Sequence, residues 1–145
     1  MDRPGKVYLS RYAALLHEIS AIERAMEGYR ERAEHITSRI SAEPRATSSV
    51  SDQMAEAVAD MADAGARLHA IARDAECMLA EILKVIRSVS DERAAAVLID
   101  RYINLRSVRE IADSMHYSDS TIFRLHDAGL TDVEAILSGE KYDMP

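Results

Sequence analysis

The sequence predicts an all-α protein: a long antiparallel helical hairpin, then a C-terminal bundle of short helices. Three observations predict it. Apolar residues make up 48% of the chain but aromatics only 5%, with no Trp and one Phe. Ala, Leu, Ile and Met fill the apolar positions, a composition suited to helix-on-helix packing rather than to sheets. Five glycines and three prolines in 145 residues leave little room for loops. Two long stretches also place apolar residues at alternating three- and four-residue intervals, the repeat of a helix packed along its length.

The first stretch runs from about Val7 to about Ala42, on the order of 50 Å of helix at 1.5 Å per residue. Its seam is Tyr12, Leu15, Ile19, Ile22, Met26, Tyr29, Ala33, Ile36 and Ile40, with Glu23, Glu27, Arg30, Glu31, Arg32 and Glu34 on the outer faces. Pro44 ends this helix, and the polar run SAEPRATSSVS reads as a loop. Ser49 or Ser51 is then expected to cap a second long helix. Its seam is Met54, Val58, Met61, Gly65, Leu68, Ala72, Ala75, Leu79, Ile82, Ile86 and Val89.

Two helices of matched length joined by a short loop make an antiparallel hairpin. Residues 1–89 are therefore expected to form a hairpin domain, with Leu15, Ile19, Ile22, Met26, Leu68, Leu79, Ile82 and Ile86 in its seam. Further apolar residues flank the seams: Leu16, Ile71, Met78, Leu83 and Val85. Two helices alone cannot bury all of these. The hairpin should pack against a second copy or against the C-terminal helices, and a homodimer is the favoured expectation.

Residues 90–145 read as a second unit. Ser90-Asp91-Glu92 puts a cap and two acids at a helix start, where the helix dipole favours them. The helix ERAAAVLIDRYI follows, and Asn104, Leu105 and Arg106 turn the chain. Ser107 and Glu110 then have capping-box spacing. Val108, Ile111, Ala112 and Met115 share one face of the next helix, and His116-Tyr117 make a turn. Ser118 caps a second short helix whose Ile122 and Leu125 point back at the first. Ala112 is small where the two helices must cross, and Tyr117 is expected to join the core. This is the pattern of a helix-turn-helix. Its outward residues, Ser118, Asp119, Ser120, Thr121, Phe123, Arg124 and Asp127, with Arg106 before the motif, are the candidate contacts to double-stranded DNA. Gly129 is expected to end this helix, and Thr131-Asp132-Val133-Glu134 to cap a short last one, VEAIL.

Net charge is −7, which counts against nucleic acid. The charge is uneven, however. Between Arg101 and His126 stand Arg101, Arg106, Arg109 and Arg124 against Glu110, Asp113 and Asp119, and of the eleven acidic residues in 91–145 five lie in the tail from Asp127 to Asp143. Duplex affinity comes largely from phosphate neutralisation, so one copy should bind weakly and two or more should act together. The single Cys77 excludes an internal disulfide and fits a reducing bacterial cytoplasm. No run is apolar enough to span a membrane, and the N-terminus lacks a signal peptide. No phosphate-cradling glycine loop, metal-ligand cluster or nucleophile–base pair is evident, so no enzyme, cofactor or metal is expected. His116 and His126 stand apart from any Cys or further His; His17, His35 and His69 fall on the long helices.

The run ERAAAVLIDRYINLRSVREIADSMHYSDSTIFRLHDAGL resembles the C-terminal part of the ArpU/RinA-like phage transcriptional regulators, which in turn look like region 4 of sigma-70 factors. The likeness lies in RYI before the motif, S-x-x-E-I-A in its first helix and Y-S-x-x-T-I-x-R-L-H across the turn and second helix. It extends upstream in the long helix, Ser-rich loop and second long helix. It implies sequence-specific binding to promoter or operator DNA in a bacterial host, with contact to host RNA polymerase. It makes Ser118, Ser120, Thr121 and Arg124 base or phosphate contacts, and Ile111, Ala112 and Ile122 the motif's core. Members usually carry Ala-Leu where this chain has Ala128-Gly129-Leu130.

Two rival readings fit some of the residues. One is a protein–protein interaction module, or an inhibitor of a regulator, working through the hairpin without DNA; the acidic balance favours it. The other is a phage small terminase subunit, which also combines a helix-turn-helix with a long hairpin. There, though, the DNA-binding part usually comes first.

Overall fold

A computed structural model describes residues 2–42 and 48–139, with side chains described except at 40–42 and 48. The described residues are almost wholly helical and contain no strand. In order they form α1 (Pro4–Leu9), α2 (Arg11–Ala42), α3 (Ser48–Arg87), α4 (Glu92–Leu98), a π-helical turn (Ile99–Ile103), α5 (Val108–Met115) and α6 (Asp119–Leu137). No helix among the described residues is long and apolar enough to cross a membrane.

Packing divides the chain into two compact units, residues 15–74 and residues 1–14 with 75–145. The cut falls inside α2 and α3 rather than at 89/90. In the first unit, the described seam of α2 is covered as the heptad spacing requires. Ile22 and Ile36 are buried, and Leu15, Ile19, Met26, Tyr29 and Ala33 half-buried. Ile40's side chain and the loop placed around Pro44 lie outside the described residues. Arg32 reaches Asp60 at 3.7 Å, and the Met26 methyl lies 3.9 Å from where a Cβ on Gly65 would be. Residue number thus rises along α2 as it falls along α3 at these contacts.

The start of α3 departs from expectation in two ways. The helix begins at Ser48, so neither Ser49 nor Ser51 precedes it as a cap. Its seam also starts at Val50 and Ala57, which are buried, while Val58 is 55% exposed. Positions 57 and 58 both complete a four–three repeat with Met54 and Met61. Spacing cannot choose between neighbours on one helix face, and the small Ala57 permits the closer approach.

The second unit is built on the main core cluster: Leu9, Ile82, Val85, Ile86 and Val89, packed with Ala94, Leu98, Tyr102, Leu130, Val133 and Ile136. Here both halves of the ambiguous heptad pairs are used, since Val85 and Ile86 are both buried. The excess apolar residues at this end of α3 are covered within the chain. Ile82 and Ile86, at 0% and 1% exposure, have nothing left to offer a second copy.

The N-terminus also begins earlier than expected. Pro4 opens α1, where its missing N–H costs nothing, and the chain turns at Ser10 before α2. Arg3, just before α1, spends its side chain on α6. It donates to Thr131 Oγ1 at 3.1 Å and to Glu134 Oε1 at 2.7 Å, while the Gly5 N–H donates to Glu134 Oε2 at 2.9 Å.

Candidate nucleic-acid interface

Residues 91–137 arrange three helical segments around a small apolar centre. Val97, Ile111, Ala112, Ile122 and Leu125 are buried together, with Val108 and Met115 packed against them. Ala112, 3% exposed, occupies the crossing where a larger side chain would hold α5 and α6 apart. Tyr117, expected in this core, is instead 37% exposed.

Local chemistry fixes each helix end. Asp91, not Ser90, caps α4, accepting from the Arg93 N–H at 2.9 Å. Ser90 turns away, its N–H and Oγ both donating to Asp132 Oδ2 of α6. The expected helix ERAAAVLIDRYI is α-helical only through Leu98, then widens into the π turn, which ends with the Asn104 N–H donating to Ile99 O. That turn points Tyr102 into the core and leaves Arg101 exposed, with Arg101 Nη1 donating to Arg106 O at 3.0 Å. Leu105 then takes φ 56°, a left-handed conformation rare for a branched side chain.

The capping box at α5 is complete. The Glu110 N–H donates to Ser107 Oγ at 3.2 Å, and the Ser107 N–H donates to Glu110 Oε1 at 3.1 Å. This holds the Glu110 carboxyl below its usual range, the backbone N–H of Ser107 being the largest cause. His116 ends α5 at φ 60°, left-handed, which reverses the chain in two residues. Ser118 caps α6, accepting from the Thr121 N–H at 3.2 Å.

The second short helix is longer than the sequence suggests. α6 runs unbroken through Gly129, so Gly129 is not a stop, Thr131–Glu134 is not a capping box, and VEAIL is not a separate helix. The physical reason is tertiary. A Cβ at Gly129 would lie 2.9 Å from Leu98 Cδ1, so the glycine is there to let α6 approach α4. The residues taken for a cap have other partners: Thr131 Oγ1 donates to Asp127 O one turn back, Asp132 accepts from Ser90, and Glu134 holds Arg3.

The candidate DNA residues divide into groups. Ser120, Phe123, Arg124 and Asp127 are exposed at helical spacing along one side of α6. Ser118 is exposed but occupied in the cap, sharing a 2.9 Å bond with Thr121 Oγ1, and Thr121 is half-buried. Asp119 is half-buried and lies 3.6 Å from Arg109. Asp127 is answered from within, 3.7 Å from Arg3 and 3.4 Å from His126 Nδ1. Arg106 and Arg124 are exposed and make no ion pair among the described residues. The outer side of α6 therefore offers an unpaired cation, a hydroxyl and an aromatic ring, with its nearest acids at least partly compensated.

No family model, curated protein or solved structure matches this chain. The site is read from its own residues.

One feature of it has no signal in the sequence. His126, half-buried, stacks on Tyr102 with ring centroids 5.6 Å apart, and its Nε2 lies 2.6 Å from Tyr102 Oη. Burial chiefly pushes the imidazole below its ordinary value, against the Asp127 carboxylate, which raises it. A neutral ring fits this setting: Nδ1–H toward Asp127, and Nε2 accepting from the Tyr102 hydroxyl. Burial likewise raises the Tyr102 pKa. These two rings floor an open groove of about 320 Å³ walled by Leu105 and Phe123, with Lys6 and Arg101 at its sides. No cluster of three His, Cys, Asp or Glu among the described residues could hold a metal.

Proposed function

We propose that this protein is a DNA-binding transcriptional regulator of the kind carried by phages and prophages. In this reading α5 and α6 are a helix-turn-helix similar to sigma-70 region 4, and α6 is the recognition helix, inserted in the major groove of promoter or operator DNA. The supporting observation is the cap-to-cap geometry. A two-residue turn, with His116 left-handed, joins α5 to an α6 capped at Ser118, over a core of Val97, Ile111, Ala112, Ile122 and Leu125. This leaves Ser120, Phe123 and Arg124 facing outward without internal partners for the Arg124 charge. Ser120 and Arg124 are suited to base edges or phosphates, and Phe123 to a thymine methyl. Arg106 adds a phosphate contact, while Ser118, Thr121 and Asp119 position the start of the helix.

The net charge of −7 limits what one copy can hold. α2 and α3 are accordingly read as an antiparallel hairpin that brings a second copy alongside, through Leu15, Ile19, Met26 and Leu68, each only half-buried in one chain. Contact with host RNA polymerase would supply further affinity.

Selection of genomic fragments by the purified protein tests the reading, followed by salt titration of the retained duplex. Arg124→Ala should weaken binding and flatten the salt slope by about one unit if Arg124 meets a phosphate. Retention of no duplex at moderate salt would refute it. The second reading, an interaction module that binds a protein and not DNA, is favoured by the acidic charge. It predicts that Arg124→Ala changes nothing while hairpin substitutions abolish partner capture.

A further inference from the structure

The groove between α1, the π turn and α6 shares Phe123 with the proposed DNA face and has further features that DNA contact does not use. Leu105 and Phe123, two of the chain's exposed large apolar side chains at 43% and 55%, stand on the walls of the same groove. Leu105 is held in a left-handed backbone that its side chain disfavours, a strain more often found where a side chain must be presented to something. The floor is the stacked pair Tyr102 and His126, whose facing polar atoms satisfy each other across 2.6 Å. It therefore offers few free donors, and the exposed apolar surface comes from Leu105 and Phe123. Lys6 and Arg101 flank it, and no carboxylate lines it. Arg101 is anchored by its bond to the Arg106 carbonyl, which limits the directions its remaining N–H groups can take. The volume, about 320 Å³, sits at the small end of the range for ligand sites, enough for one or two fused rings.

We propose that this groove binds a small aromatic carboxylate, its rings between Leu105 and Phe123 over the Tyr102–His126 floor and its anion toward Lys6 and Arg101. A flat apolar body matches Leu105 and Phe123, and a single negative charge matches the two cations, of which Lys6 keeps only a long, exposed 3.8 Å pair with Asp2. A sugar or a polyol would find one uncharged hydroxyl, that of Ser10, beside satisfied rings, and a cation would meet like charge. Phe123 is the one residue this assignment shares with the proposed DNA face, and a test without DNA separates the two.

Calorimetric titration of the full chain with 1-naphthoate, in the absence of DNA, tests it, with 1-naphthalenemethanol as the uncharged counterpart. The expected result is one-to-one binding of the acid with Kd below about 1 mM. The alcohol should bind roughly tenfold more weakly, and Arg101→Gln and Phe123→Ser should each weaken the acid by a similar factor. Phe123 is exposed, so its substitution leaves the fold intact even if that of Arg101 does not. Absence of binding overturns the proposal, as does equal binding of acid and alcohol, or binding indifferent to Phe123→Ser. Sedimentation of the same samples covers the remaining occupant. If the chain self-associates through Phe123 and naphthoate neither binds nor competes, the groove belongs to a second copy and the proposal fails.

Discussion

Replacing Gly129 by Ala puts the central packing contact of the C-terminal unit to a quantitative test. Gly129 lies inside α6, and an exposed helical site would gain about 1 kcal/mol from the change, because Ala loses less backbone entropy. Here the new methyl would stand 2.9 Å from Leu98 Cδ1 and 3.0 Å from Leu98 Cγ. Leu98 is fully buried among Ile82, Ile86, Tyr102 and Leu130 and has nowhere to retreat. Overpacking of this kind costs about 1–3 kcal/mol, so the net expectation is a loss on the order of 1–2 kcal/mol, read by urea unfolding followed by circular dichroism. The decisive measurement is the same substitution in a Leu98→Ala background, which itself costs about 2–5 kcal/mol. With the obstructing side chain gone, Gly129→Ala should become neutral or favourable, a strong coupling between the two sites. A glycine that ended a helix would behave differently, since strain at its backbone would not depend on Leu98. Equal losses in both backgrounds would therefore refute the packing account. Gly28, exposed in α2 with no atom within 4 Å of a built Cβ, is the control, and Gly28→Ala should stabilise by about 1 kcal/mol.

Two further outcomes follow from the same pattern of burial. Because burial lowers the His126 pKa, the folded chain binds fewer protons there than the unfolded one; stability present above the ordinary value of 6.5 should be lost as pH falls from there through the folded value. Titration of the ring by NMR checks it, and a midpoint above 6.5 would contradict the buried, Tyr102-paired ring, with Asp127, Arg101 and Arg3 the charges that face it. Val58→Ala should change stability by less than about 0.5 kcal/mol, whereas Ile86→Ala should cost about 2–5 kcal/mol, although the two residues hold equivalent places in the sequence repeat. Comparable losses at both would restore Val58 to the seam.

The residues whose meaning is local were legible in the sequence. Ser107 with Glu110, and Ser118 with Thr121, form their bonds across three residues, so spacing suffices to find them. Ile111, Ala112, Ile122 and Leu125 lie on faces that helical periodicity defines, and all four are buried. The misreadings share one cause. Gly129, Thr131, Asp132 and Glu134 have the local look of a stop and a new cap, but their partners are Leu98, Asp127, Ser90 and Arg3, three of which lie in other segments. Nothing near Gly129 announces the buried Leu98 of another helix. The place of Tyr117 after the turn points to the core, and only the reversal at His116 leaves it 37% exposed.

The sequence by itself determined that the chain is helical, where α4, α5 and α6 begin, and the broad face of each helix that turns inward, because capping and amphipathic spacing act over three or four residues. Tertiary structure alone decided what meets that stripe. It selected Ala57 over Val58, carried α6 through a glycine, covered Ile82 and Ile86 with the chain's own C-terminal helices, and set Arg3 against Asp127 and Glu134. Contacts between residues so far apart along the chain depend on close packing in three dimensions, which no local repeat encodes.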